Sequence, residues 1–557
     1  MQTPVKFALF ALGAFIFLTS AGYTHAGQPE INETGAQPLG MHPGFPRTDP
    51  SKVDFSSPVV ADLTGDGTIE ILTGDSGGCV WGFTPGGDLL PNFPFKPGGS
   101  CSSGKRINSP LAVGNLDGDS DLEIVAGTMG DGEEQGHRGK VYAWNPDGSS
   151  LSGWPKEMDW NMQYGHGNPE VYTVAIANVA GGSELEIIAG TSNNSSEGKN
   201  EEELSHNTYA WYSNGSMVSG YPVMWLKAGI YGQIAAGDVN NDGCEEILVG
   251  RDHRWLHLYN ASGQDLLGWP QETFVNPEDR GGPYLEFTRN APALGDIDGD
   301  GSIEIVAPGR VKNDGVVLNS ALLVFKTNGN RLGGWGTAKL GDGFPVNDSD
   351  DPSMAPALAD LDQDGTLEII VGLTDGSMRA YKSNGDLIWK YEVGTERLYF
   401  SEPVVGDIND DGNLDIVFGA YSPDGSANQK AGIYALSKTG SLMNGYPLAL
   451  TSEGGDNNGV RAAPTLADAD GDSKVEIIAA SRGGAVYMWD LDSTYNPDLM
   501  PWPTGRHNNH RNAFADPSPY RAVQQEISVT LIEGAQTTFL PYVETSAGVD
   551  TIKASCQ

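Results

Sequence analysis

Nine-residue acidic segments recur along this chain, with oxygen-bearing side chains at alternate positions. The fifth copy reads Asp296-Ile297-Asp298-Gly299-Asp300-Gly301-Ser302-Ile303-Glu304. Positions 1, 3 and 5 supply side-chain oxygens, position 7 a main-chain carbonyl and position 9 a carboxylate. Calcium, a hard cation, takes six to eight such oxygens. Glycine at position 6 permits the left-handed turn that wraps the loop. The sixth copy, Asp360, Asp362, Asp364, Thr366 and Glu368, is equally complete. The same pattern places candidate ligands at Asp62, Thr64, Asp66, Thr68 and Glu70, and at Asn115, Asp117, Asp119, Asp121 and Glu123. It repeats at Asp238, Asn240, Asp242, Cys244 and Glu246, and at Asp407, Asn409, Asp411, Asn413 and Asp415. The last copy offers Asp468, Asp470, Asp472, Lys474 and Glu476, with Lys474 serving through its backbone. The third copy, starting at Asn178, has Ala180 and Gly182 in place of two ligands and is expected to hold no metal. That leaves about seven Ca2+ sites.

Ordinary acidic turns are the plain alternative. Repetition in register argues against them, because three or four carboxylates in one turn repel unless a cation neutralises them. Magnesium prefers more water and stricter octahedral geometry. An EF-hand is excluded, since its glutamate falls at position 12 between flanking helices.

Each loop is preceded by a short apolar run such as Ser57-Pro58-Val59-Val60 and followed by one such as Ile69-Glu70-Ile71-Leu72. Both have strand length and turn-forming ends, so the loop joins two antiparallel strands. A second hairpin follows, marked by an aromatic or Leu with Gly four residues on, as at Phe83/Gly87 and Trp144/Gly148. An aromatic-Pro step comes next: Phe93-Pro94, Trp154-Pro155, Tyr221-Pro222, Trp269-Pro270, Phe344-Pro345 and Tyr446-Pro447, with Trp389 standing in for it in the sixth copy. Four short strands in roughly 60 residues resemble a propeller blade. The fold expected is all-β: a propeller of eight four-stranded blades, seven being possible, with a linear solenoid as the alternative. Either Gly44-Phe45-Pro46 or Pro501-Trp502-Pro503 would close the ring.

The 557 residues include 75 Gly and 34 Pro, as turn-rich repeat folds require, and carry a formal charge of −40. Thirty-three scattered Lys and Arg make nucleic acid an unlikely partner. Residues 1–26 read as a secretory signal, with Lys6 before the apolar run Phe7 to Leu18 and Ala26 at the cleavage point. An uncleaved anchor is the alternative. Residues 27–515 form the propeller and 516–557 a β-rich tail. The mature protein is then periplasmic or extracellular, with no membrane span. Export permits disulfides. Cys79 and Cys101 lie in one repeat and are the candidate pair, while Cys244 reads as a free thiol or a substituted turn residue.

The apolar-D-x-D-x-D-G-x-x-[DE]-apolar-Gly repeat resembles the FG-GAP or VCBS repeats of bacterial secreted proteins, and is similar to the calcium-binding blades of integrin α-subunits. The resemblance spans about residues 40 to 515. It implies a calcium-loaded propeller that binds or adheres to extracellular protein or carbohydrate. The seven blades of integrins leave the blade count open.

Two enzymatic readings compete. Gly74-Asp75-Ser76-Gly77-Gly78 matches the nucleophile segment of trypsin-like proteases, but the same slot in the eighth copy, Ser481-Arg482-Gly483-Gly484, marks it as an inter-strand turn. A lyase acting on uronate-containing glycans would draw its base and acid from Tyr164, His166, Tyr172, His206, Tyr231 and Arg251. As a binding surface, Trp160, Tyr164, His166, Tyr231 and Trp255 are the candidates. His507 and His510 are expected at the surface.

Overall fold

In each repeat the acid at loop position 9 opens the second strand, because a carboxylate held by the sheet can reach back over its own loop. These strands are Glu70–Gly74, Glu123–Gly127, Glu186–Thr191, Glu246–Gly250, Glu304–Asn313, Glu368–Gly372 and Asp415–Tyr421; in the last repeat Glu476 lies inside Lys474–Ala480. All are almost wholly buried, since each is flanked by strands on both sides and by another blade on both faces. The computed structural model describes residues 38–515 apart from 102–104, 108, 131–137, 159–168, 193–203, 227–228, 252, 342–353, 394–397, 423–429 and 451–458. The expected signal at 1–26 and tail at 516–557 lie outside the described residues.

Eight antiparallel sheets form eight propeller blades, which settles the blade count. The innermost strands are Val59–Ala61, Ala112–Gly114, Val171–Ala177, Ala235–Gly237, Ala293–Gly295, Ala357–Ala359, Val404–Gly406 and Thr465–Ala467, in blades 1 to 8. In blade 1 the outer position is taken by Phe95, which exchanges both backbone bonds with Val80.

The core lies between blades. Val59 and Leu72 of blade 1 pack with Val113, Ile124 and Trp144 of blade 2. At the seam, Ile71 and Phe83 of blade 1 meet Ile478, Val486 and Met488 of blade 8. Tryptophan steps fasten blades 2, 4 and 6 to the blade that follows: Trp154 Nε1 donates to Ser213 O, Trp269 Nε1 to Thr327 O and Trp389 Nε1 to Lys438 O, at 2.7, 2.7 and 2.9 Å. In blade 5 this role falls to Trp335, which donates to Ser383 O at 2.7 Å. Phe344-Pro345, expected there, lies outside the described residues. In blade 3 the glycine before the aromatic is required: Gly220 has φ +95°, and a Cβ there would stand 2.0 Å from Ser262 O.

Both chain ends close the ring, at different radii. Pro38–Met41 pairs antiparallel with Val486–Thr494 and completes blade 8 from outside. Residues 502–515 run inside the ring, where inner strands would otherwise present unpaired edges. Trp502 O accepts from Val405 N, Pro503 O from Leu466 N, Asn509 O from Val113 N, His510 O from Ile176 N, Asn512 O from Ala236 N and Ala513 O from Leu294 N. Asn509 Nδ2 donates to Val60 O at 2.9 Å, and Phe514–Ala515 pairs parallel with Ala293–Gly295. The segment thus ties blades 7, 8, 1, 2, 3, 4 and 5 in ring order. This corrects the surface placement expected for His507 and His510. They line the channel interior, His507 against the Trp502 ring at 4.9 Å, and burial holds the His507 imidazole down at about 4.

Cys79 and Cys101 are bridged. Cys244 is also disulfide-bonded, which corrects the reading of it as a free thiol; it keeps its place in the acidic loop, its N–H donating to Asp242 Oδ1 at 2.9 Å.

Candidate functional site

Each acidic loop is shaped by its own carboxylates. The position-9 carboxylate accepts the N–H of position 2: Leu63 to Glu70 at 2.8 Å, Leu116 to Glu123 at 2.6 Å, Val239 to Glu246 at 3.1 Å, Ile297 to Glu304 at 3.0 Å, Leu361 to Glu368 at 2.8 Å and Ala469 to Glu476 at 2.6 Å. Asp415, one methylene shorter, receives Ile408 N at 3.3 Å. Position 1 takes the N–H of position 6, as Asp62 does from Gly67 at 2.8 Å and Asp360 from Gly365 at 2.9 Å. Position 5 takes the N–H of position 7, as Asp300 does from Ser302 at 2.8 Å.

The two ends of a loop are polarised in opposite directions. Hydrogen bonds from position 7 hold Asp66, Asp300 and Asp364 below the usual carboxylate range. Burial, reinforced by neighbouring aspartates, lifts Glu123, Glu304 and Glu368 to about 7 and Glu246 and Glu476 to about 8. Glu123, Glu304 and Glu368 each keep one buried oxygen, Oε1, with no hydrogen-bond partner. Four loops bring carboxylate oxygens within 4.8 Å of one another: Asp117, Asp119 and Glu123; Asp296, Asp298 and Asp300; Asp360, Asp362 and Glu368; Asp468, Asp470 and Glu476. Crowded oxygens with an unpaired buried member fit a divalent cation.

Two features qualify that fit chemically. Lysines reach the clusters of blades 5 and 6: Lys326 Nζ lies 3.1 Å from Asp300 and 3.5 Å from Asp298, and Lys382 Nζ 3.1 Å from Asp362. The altered loop of blade 3 keeps its buried acid, Glu186, which accepts Ala180 N at 3.0 Å and is raised to about 7. The position-9 acid therefore has a structural job in every blade; what sets blade 3 apart is Ala180 and Gly182 at positions 3 and 5, where the other loops carry oxygen-bearing side chains.

The other candidates divide. Asp75 accepts Ser51 N and Cys79 N at 2.8 Å and Trp81 Nε1 at 2.9 Å, so the Gly-Asp-Ser-Gly-Gly segment is a tied inter-strand turn. Trp160, Tyr164 and His166 lie outside the described residues, as does the His206 side chain. Tyr231 packs against Tyr172 with ring centres 5.2 Å apart and the rings tilted by 60°. Trp255 packs on Trp225 at 6.1 Å and under Arg254 at 5.7 Å. Arg251 is fully buried and donates to Asn207 Oδ1 at 2.7 Å and the Tyr259 hydroxyl at 2.6 Å, which removes it from any surface cleft. Tyr172 donates to Glu170 Oε2 at 3.1 Å, and burial beside that carboxylate raises its hydroxyl far above the range of a general base.

Among the described residues no helix is long and apolar enough to cross a membrane. No curated protein matches the chain. Among solved structures it is similar to the exotype rhamnogalacturonan lyase YesX, at 15% identity and TM-score 0.48 over 86% of this chain and 80% of that one. It is similar to BamB from Moraxella catarrhalis, at 13% identity and TM-score 0.44 over 80% and 100%. A third likeness is to the V. cholerae biofilm matrix protein Bap1, at 11% identity and TM-score 0.37 over 84% and 92%. Residues 360–418, from the acidic loop of blade 6 into the second strand of blade 7, match the family model described as FG-GAP-like repeat. The chain is a β-propeller of eight blades, and one copy of the loop-and-strand unit that recurs through it matches an FG-GAP-like repeat.

Proposed function

We propose that this protein is an exported, calcium-loaded propeller that serves as an extracellular binding or adhesion module for a protein or carbohydrate ligand. The observation that carries the reading is the convergence of carboxylates around an unpaired buried oxygen, as at Asp360, Asp362 and Glu368. Calcium there would neutralise the cluster and link the two strands that the loop joins. Asp360, Asp362, Asp364 and Glu368 would hold it by side chains and Thr366 by its carbonyl, with the equivalent residues acting in blades 1, 2, 4, 5, 7 and 8. The apolar run after Lys6 supports export.

The test has two parts. Metal analysis of the purified mature protein is expected to find about seven calcium ions, and chelation to lower the melting temperature, because ions bound only to the folded state stabilise it. An array of glycans and matrix proteins, probed with and without chelator, is expected to yield a ligand. A calcium-free protein whose melting ignores chelator, or an empty array, would sink the respective half of the reading.

A further inference from the structure

On the outer rim, between blades 4 and 5, a cleft of about 540 Å³ opens to solvent. None of the residues lining it belongs to an acidic loop. Strand register builds its blade 4 wall. Trp255 opens the strand Trp255–Tyr259 and pairs directly with Glu272 of the outermost strand, Gln271–Glu272, so the indole and the carboxylate stand side by side on one face of the sheet. Trp255 is partly exposed. The guanidinium carbon of Arg254 lies 5.7 Å from the ring centres of both Trp255 and Phe274 and braces the two aromatics. Pro277 adds an exposed apolar edge.

The fixed charge around this cleft is already answered. Glu272 is shared between Arg254 Nε at 3.0 Å and Arg280 Nη1 at 3.4 Å. Arg331 donates to the carbonyls of Phe274, Val275 and Gly336. Glu278 and Asp279 precede Arg280 in the chain, so carboxylates match guanidiniums in number here. Hydrogen-bonding capacity is what stays open. The Arg280 side chain is 80% exposed, with its one contact to Glu272 at the long end of the range. The side-chain amide of Asn330, on the blade 5 hairpin, is exposed and has no partner among the described residues. A braced indole beside planar carboxylate, guanidinium and amide groups suits an uncharged sugar. The apolar C–H face of a sugar ring meets the negative face of an aromatic ring, and its vicinal hydroxyls, each donor and acceptor, meet planar groups that offer two partners at once. The volume falls in the range of small-ligand sites.

We propose that this cleft binds a neutral oligosaccharide, one ring on Trp255 and its hydroxyls on Glu272, Arg280 and Asn330. The proposal rests on the binding-module reading and gives it a site and a ligand class. An acidic saccharide fits less well, because the carboxylates beside the arginines and the net charge of −40 would repel it. A peptide captured by strand addition fits less well too, since the outer strand offers an edge of two residues.

The test is calorimetry of the intact mature protein with the neutral hexasaccharides of the cellulose, xylan, mannan, starch and chitin series, with hexagalacturonate and decaproline as the contrasting probes. At least one neutral hexasaccharide is expected to bind, with an affinity that salt leaves unchanged. Trp255→Ala is expected to bind it about tenfold more weakly and Asn330→Ala about threefold. Asn330 is exposed, so that variant is expected to melt as the parent does. No binding by any neutral member would overturn the proposal. So would undiminished affinity in a folded Trp255→Ala protein, or in Asn330→Ala should Trp255→Ala not fold. Tighter binding of hexagalacturonate or decaproline would overturn the ligand class. An array ligand whose affinity ignores both substitutions would remove the site while leaving the binding-module reading intact; an empty array would remove that reading itself.

Discussion

Arg511 Nε donates to the Leu111 carbonyl at 2.9 Å, joining residues 400 positions apart. The same guanidinium donates through Nη2 to the carbonyls of Ser57 and Pro58, both at 3.1 Å, and through Nη1 to the Thr504 hydroxyl at 2.9 Å. One fully buried side chain therefore ties the inner segment to blades 1 and 2. Arg511→Met keeps much of the volume but leaves those carbonyls unpaired. A loss of about 3 kcal/mol or more follows from abandoned charge-assisted bonds. It would be read as a lowered midpoint in thermal or urea unfolding; an unchanged midpoint would remove the clasp role assigned to residues 502–515.

Glu368 holds Leu361 N with one carboxylate oxygen and keeps the other buried and unpaired, the oxygen that the proposed cation would use. Glu368→Gln keeps a carbonyl oxygen for the backbone bond but removes the charge. It is expected to lose one calcium per molecule while unfolding near the parent's calcium-free midpoint. Glu368→Ala loses both and is expected to be lower by about 1–3 kcal/mol in chelator as well. Metal counting beside melting curves in chelator separates the two effects.

The position-9 acids illustrate how much of this fold was legible from residue types alone. An acid at fixed spacing between apolar runs marked every hairpin, because the sheet needs that carboxylate to fold the loop. The aromatic steps were legible where Pro followed. Trp335 was missed in favour of Phe344, although Gly334 before it carried the same signal as Gly268 before Trp269. The inner segment was not legible because it does not repeat: its polar residues serve different blades, one or two each, so no period betrays them. His507 and His510 consequently read as surface. Arg289 and Arg461 come from blades distant in sequence, and only ring closure brings their guanidinium groups to the one Phe55 ring.

Lys326 competes for the oxygens that a cation in blade 5 would use, at 3.1 Å from Asp300 and 3.8 Å from Glu304. Its ammonium is partly exposed and can swing away, so it would weaken binding of the proposed cation rather than block it. Lys326→Met is expected to tighten calcium binding in that loop by about tenfold, equivalent to about 1.4 kcal/mol. Calcium titration of this variant against the parent would check it. An affinity that stays the same or falls would show that the lysine is no competitor.

His257 gives a pH test independent of the acidic loops. It is fully buried in blade 4, its Nδ1 3.0 Å from Asp265, its ring 4.2 Å from Trp225 and 5.2 Å from Tyr259. Burial, helped by the charge of Arg251 and opposed by Asp265, lowers it to about 4. The unfolded chain takes up this proton near pH 6.5, the folded one only near 4. Stability contributed by the neutral ring is therefore present above the unfolded value and lost as pH falls through that window, by up to about 3 kcal/mol. His257→Phe removes the titration while keeping an aromatic ring among Trp225 and Tyr259. The parent is expected to lose more stability than this variant between pH 6.5 and 4, measured by urea midpoints at matched calcium. Parallel losses would mean that the imidazole is already protonated in the folded protein.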